Sequence, residues 1–101
     1  MTMILAVLRD GSRHGYDVAR EVERRSDRRI SFNDGTLYPI LHSLEKEGLI
    51  VSAWENPTGE RRRRVYALND SGLLELSRQV AAWQDFASAV NQVLQDPVEN
   101  S

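Results

Sequence analysis

Cysteine is absent from the 101 residues. Without a thiolate, a disulfide framework, a cysteine zinc site, an iron–sulfur cluster and a cysteine nucleophile are all excluded, and a reducing cytoplasmic setting is expected. Histidine is scarce as well: His14 and His42 are the only two. No carboxylate pairing completes a ligand set around them, so neither a metal nor a cofactor is expected. Glycine and proline number six and three, and 28% of the residues are charged against 41% apolar. That balance is ordinary for a globular domain and argues against wholesale disorder. No apolar run approaches the roughly 18 residues that a membrane span requires. The opening MTMILAVLRDG lacks a basic n-region and a small-residue cleavage site, so a core helix is expected there rather than a signal peptide. No glycine-rich phosphate loop, nucleophile elbow or oriented base can be assembled, and no catalytic residue is assigned.

What the chain does have is positive charge in one place. Residues 1–68 carry twelve basic and ten acidic side chains, whereas residues 69–101 carry one and five. The net charge of −2 therefore hides a basic front and an acidic tail, and does not exclude a nucleic-acid partner. Four of the basic groups, Arg61, Arg62, Arg63 and Arg64, are consecutive within NPTGERRRRVYALNDSG. A charge run alone marks only a solvated face, so its flanks decide what it means.

The apolar spacing sets the flanks. Ile4, Leu5, Val7 and Leu8 form the face of a first helix that stops at Asp10-Gly11-Ser12. Gly15, Val18, Ala19 and Val22 predict a second helix from His14 to about Ser26. Leu37, Ile40, Leu41 and Leu44 predict a third, with Asn33 or Asp34 as N-cap, Gly48 as terminator and Pro39 a little late inside it. LIVSAWE and RRRRVYAL read as two strands joined by an NPTG turn, a hairpin that must lean on the helices. Trp54 is expected to pack between that hairpin and the helices.

A last helix opens at Asn69-Asp70 and runs to about Gln95. Leu73, Leu76, Val80, Trp83, Ala87, Val90 and Leu94 step alternately by three and four, an a/d seam that Phe86 and Val93 widen. Some 26 residues span roughly 39 Å, more than a domain of this size covers. A small domain buries only roughly 60–70% of its unfolded surface, so this seam is expected to join two copies. The expected organisation is residues 1–68 as one domain, 69–96 as a dimerisation helix and 97–101 as a flexible tail.

Helix, helix, helix, hairpin is the order of a winged helix–turn–helix, here with a long C-terminal helix: a mainly α fold with a small β-hairpin. In such domains the third helix enters the major groove of DNA and the hairpin, or wing, reaches the backbone or minor groove. Opposite its core stripe the third helix offers Thr36, Tyr38, His42 and Ser43, with Gly35 permitting close approach and Asn33 at the edge. The helix N-terminus is expected to offer free N–H groups to a phosphate. Arginine and glutamine, the commonest bidentate base readers, are missing from that face. The wing arginines fit counterion-releasing phosphate contacts.

Three stretches, HGYDVAREVE, GTLYPILHSLEKEGLI and RRRRVYALNDSG, occur in this order and together resemble the PadR-type transcriptional regulators over about residues 3–95. The resemblance implies a homodimeric bacterial repressor of an operator duplex, joined through its last helix with help from the first, where Leu5 and Leu8 stand. It places Tyr16, Thr36, Tyr38 and Pro39 at or near the DNA face, and Arg63 and Arg64 at the basic wing positions. Asn69 stands where family members usually have threonine, and Val65 replaces the first of two adjacent tyrosines. The single C-terminal helix is similar to the shorter family branch, in which some members bind planar drug-like molecules between paired tryptophans. Trp83, with Phe86 beside it, is the corresponding candidate for a planar aromatic effector. The alternative is a winged-helix dimer acting mainly in protein association or small-molecule capture, with weak DNA affinity.

Overall fold

A computed structural model describes residues 1–55 and 62–95. The NPTG turn, Arg61 and the 97–101 tail lie outside the described residues. The elements run α1 (Thr2–Arg9), β1 (Arg13–His14), α2 (Gly15–Arg25), α3 (Asp34–Lys46), β2 (Ile50–Glu55), β3 (Arg63–Leu68) and α4 (Asp70–Gln95).

Three short helices converge because each presents one apolar stripe. Ile4, Leu5 and Leu8 from α1, Val18 and Val22 from α2, and Leu37, Leu41 and Leu44 from α3 are buried together with Ile50, Tyr66 and Leu76. The caps are those the sequence calls for. Asn33 Oδ1 accepts the Thr36 N–H at 2.9 Å, satisfying an orphan donor of the first turn. At the other end Gly48 adopts φ +80°, its N–H reaches the Glu45 carbonyl, and the Leu49 N–H reaches that of Leu44. This is a Schellman ending, which favours glycine because of the left-handed backbone. Pro39 sits inside α3 without breaking it.

The sheet has one strand more than the spacing predicts. Its order is β1-β3-β2, all antiparallel, with Arg13 opposite Tyr66 and His14 opposite Val65. A two-residue polar strand carries no alternation, and only the paired edge of β3 reveals it. In the hairpin, Ser52 faces Tyr66 and Trp54 faces Arg64. Ile50, Ser52 and Trp54 therefore share one face with Arg64 and Tyr66, and Glu55 shares the other with Arg63.

Helix α4 starts in the core and leaves it. Gly72 and Leu76 are buried, Val80 is partly so, and Thr2 of α1 donates to Gln79 at 2.6 Å. Beyond Val80 the residues are exposed, with Ala87 intermediate. The radius of gyration is 17.4 Å, with extents of 72 × 28 × 22 Å. A compact chain of this length has a radius near 13 Å, so the distal half of α4 projects as an arm. Leu5, Leu8 and Leu76, expected at a dimer seam, are instead buried inside the protomer. Their spacing fits both roles, and the turn of α1 onto α4 decides for the core.

One surface cluster has an acid-range consequence. Glu21 accepts from Arg24 at 2.6 Å and from Arg25 at 2.7 Å, and Arg25 also reaches Asp10 at 2.9 Å, tying α2 to the end of α1. The hydrogen bonds from Arg24 and Arg25 lower the Glu21 carboxyl from its ordinary 4.5 to about 2. A depressed carboxyl stabilises the fold above its ordinary value and loses that contribution as pH falls through the folded one. The melting temperature of Glu21→Gln is thus expected to decline less than that of the wild type between about pH 4.5 and 2, as thermal unfolding across that range would record.

Candidate nucleic-acid interface

A groove of about 900 Å³ opens between the start of α2, one flank of α3 and the inner face of the hairpin. Tyr16, Tyr38, His42, Glu45, Trp54, Arg62, Arg63 and Arg64 line it, together with His14 and Tyr66. Its geometry begins with Gly15. A Cβ there would stand 2.8 Å from Cε1 of the Tyr38 ring, so the missing side chain lets that ring lie against the first turn of α2. Burial and the Asp34 charge raise the Tyr38 phenol above its usual range. Tyr16 stands exposed on the same turn, with the Arg20 guanidinium 5.5 Å from its ring centroid.

The polar face of α3 is open as expected. Gly35, Thr36, Tyr38, Pro39, His42 and Ser43 are all exposed, and a Cβ on Gly35 would meet only Asn33 Oδ1, at 3.4 Å. Tyr38 and His42 turn toward the groove, while Thr36, Pro39 and Ser43 lie outside its lining. Two of the expected groups have intramolecular partners. The Asn33 side chain takes the Thr36 N–H, and Asp34 adds negative charge to the same turn. Ser43 Oγ donates to Glu47 at 3.3 Å, so its hydroxyl has an intramolecular partner.

The arginines differ among themselves. Arg64 Nε donates to Ser52 Oγ at 2.9 Å, Ser52 Oγ donates to Glu45 Oε2 at 2.7 Å, and Arg64 Nη2 lies 3.7 Å from the same carboxylate. Arg64 is thereby a strut between the hairpin and α3 rather than a cation awaiting a partner. Arg62 and Arg63 are exposed. Trp54 is not a packing residue either. It is 54% exposed, with the Arg62 and Arg64 guanidinium carbons 4.8 Å and 5.0 Å from its ring centroid. His14 of β1 has its Nε2 2.9 Å from Glu55 and its Nδ1 3.5 Å from Asp17, a polar tie that links β1 and α2 to the hairpin. Neither the Trp54 nor the His14 contact is visible in the sequence, because each depends on strand register. Among the described residues no cluster of histidine and carboxylates could hold a metal, and no helix is long and apolar enough to cross a membrane.

The arm carries a second candidate surface. Leu73, Trp83, Phe86, Val90, Val93 and Leu94 are exposed along α4, with Trp83 at 63% and Phe86 at 60%. Their rings lie 6.0 Å apart at 42°, a tilted pair of ordinary aromatic geometry.

Three helices, a three-stranded sheet with a projecting hairpin, and a trailing long helix define a winged helix–turn–helix protein. The family model for the transcriptional regulator PadR-like family matches residues 4–78, and the chain belongs to that family of transcriptional regulators. It is 37% identical over 81 residues to the transcriptional regulator Rv3488 of Mycobacterium tuberculosis, covering 80% of this chain and 72% of the relative. It superposes on a transcriptional regulator from Clostridium thermocellum with a TM-score of 0.82 at 26% identity, covering 90% and 88% of the two chains. With Bacillus subtilis PadR, solved in complex with operator DNA, the TM-score is 0.71 at 29% identity, over 78% of this chain and 45% of that one.

Proposed function

We propose that the protein is a homodimeric, operator-binding repressor of transcription. The observation that carries this reading is the groove itself: an exposed polar helix face and an exposed cationic wing border one channel. Polar groups on α3 suit base edges, and arginines beside them suit phosphates, whose neutralisation releases counterions. The solved complex of Bacillus subtilis PadR with operator DNA supports the partner.

Dimerisation is supported by the arm. Trp83, Phe86, Val90, Val93 and Leu94 are exposed along it among the described residues, and a two-fold pairing of such stripes would bury them. Val80 and Ala87, both half-buried, stand on the same seam. A two-fold dimer presents two α3 helices and calls for an inverted repeat in the duplex. Trp83 and Phe86 of both copies would then border an apolar slot suited to a planar aromatic effector.

Selection from random duplexes tests the reading. An enriched inverted repeat is expected, bound with strong salt dependence, and a planar aromatic that releases it should quench Trp83 emission. Failure to enrich any sequence, with affinity indifferent to salt, would contradict operator recognition.

A further inference from the structure

We propose that Trp54 is a positioning residue for the wing, holding the Arg62 guanidinium in place before a duplex arrives. The inference rests on the DNA-binding reading above and deepens it.

Four contacts in series lead from α3 to Arg62. Glu45 on α3 accepts from Ser52, Ser52 accepts from Arg64, the Arg64 guanidinium lies over the Trp54 indole, and the Arg62 guanidinium lies over the same ring. Register explains the near part of the series, since Trp54 is opposite Arg64; Arg62 immediately precedes β3, and its guanidinium reaches the same ring. The near end is fixed by an ion pair and two hydrogen bonds; the far end is an exposed cation.

Core packing does not explain the indole, since more than half of it faces solvent on the outer part of a strand exposed on both sides. Nor is its ring an open stacking platform, because two guanidinium groups already occupy it at 4.8 and 5.0 Å. A guanidinium is planar and weakly hydrated, and rests well on an aromatic face. Holding it there moves the loss of side-chain freedom out of the binding step, which is preorganisation. Arg64 supplies the fixed point, Trp54 the ring and Arg62 the contact with phosphate.

The test measures duplex affinity against salt for Trp54→Leu, Trp54→Phe, Arg62→Ala and the Trp54→Leu/Arg62→Ala double variant, each checked for unfolding temperature. Trp54→Leu keeps apolar bulk without a π face and is expected to bind about two- to fivefold more weakly, with an unchanged salt slope. Trp54→Phe restores most of that loss. Arg62→Ala flattens the slope by about 0.9, and in its background Trp54→Leu costs nothing more. Wild-type affinity for Trp54→Leu, or an undiminished loss in the Arg62→Ala background, would overturn the proposal while leaving DNA binding intact. A wild type with no salt-dependent affinity would overturn the reading beneath it. The pairing itself is then read without DNA: in a Trp83→Phe background, Arg62→Ala is expected to alter Trp54 emission, and unaltered emission overturns the pairing.

Discussion

Replacing Arg62 and Arg63 together by alanine is expected to weaken duplex binding at physiological salt by roughly tenfold or more, and to flatten the log–log salt dependence by about 1.8. The choice of pair follows from the contacts. Both side chains are exposed at the groove, whereas Arg64 is committed to Ser52 and Glu45. The loss should be nearly uniform across sequences, because phosphate contacts fix position and carry no base information. Arg64→Ala behaves differently in this account. Its effect passes through the hairpin, so the change in slope is smaller than for either exposed arginine. Fluorescence anisotropy of a labelled duplex across salt concentrations separates the two classes.

Gly72→Ala is expected to have the largest effect on the protomer. A Cβ at Gly72 would run into the carbonyl oxygen of Leu49 and stand 2.5 Å from Leu68 Cδ1. The first obstacle is backbone and cannot rotate away. The same corner is pinned by Asn69, which accepts the Gly72 N–H at 2.8 Å and donates to the Gly48 carbonyl at 2.8 Å. Alanine would gain about 1 kcal/mol of helix propensity, but overpacking of this kind costs about 1–3 kcal/mol and sometimes more. With backbone as the obstacle, a net loss of about 2 kcal/mol is expected, or roughly 10 °C in melting temperature. Thermal unfolding by circular dichroism measures it. Because α4 leaves the core at this corner, the variant should also associate more weakly.

Periodicity made the helices legible. Leu37, Leu41 and Leu44 can bury together only on a helix, and Asn33 and Gly48 mark its ends in chemistry that any reader of the chain can see. The long seam of α4 was equally plain, but its division was not. Leu76 and Leu73 stand three residues apart on one stripe, and only the docking of α1 makes the first a core residue and leaves the second exposed. Contacts between distant segments stayed hidden for the same reason. β1 is two residues long, the Glu45–Ser52–Arg64 strut joins three elements, and Trp54 looks like any apolar strand residue until its partners are known. Gly15 illustrates the middle case. The sequence marks it as part of a motif, and the structure supplies the reason, a tyrosine ring that leaves no room for a Cβ.

Counting chains decides between a lone domain and the assembly argued for, in which exposed arms join two protomers and turn both wings toward one duplex. Multi-angle light scattering at micromolar concentration, on the free protein and on its complex with a selected duplex, gives that count. Two chains of 11.5 kDa in both samples is the predicted result; a single chain on the duplex would contradict it.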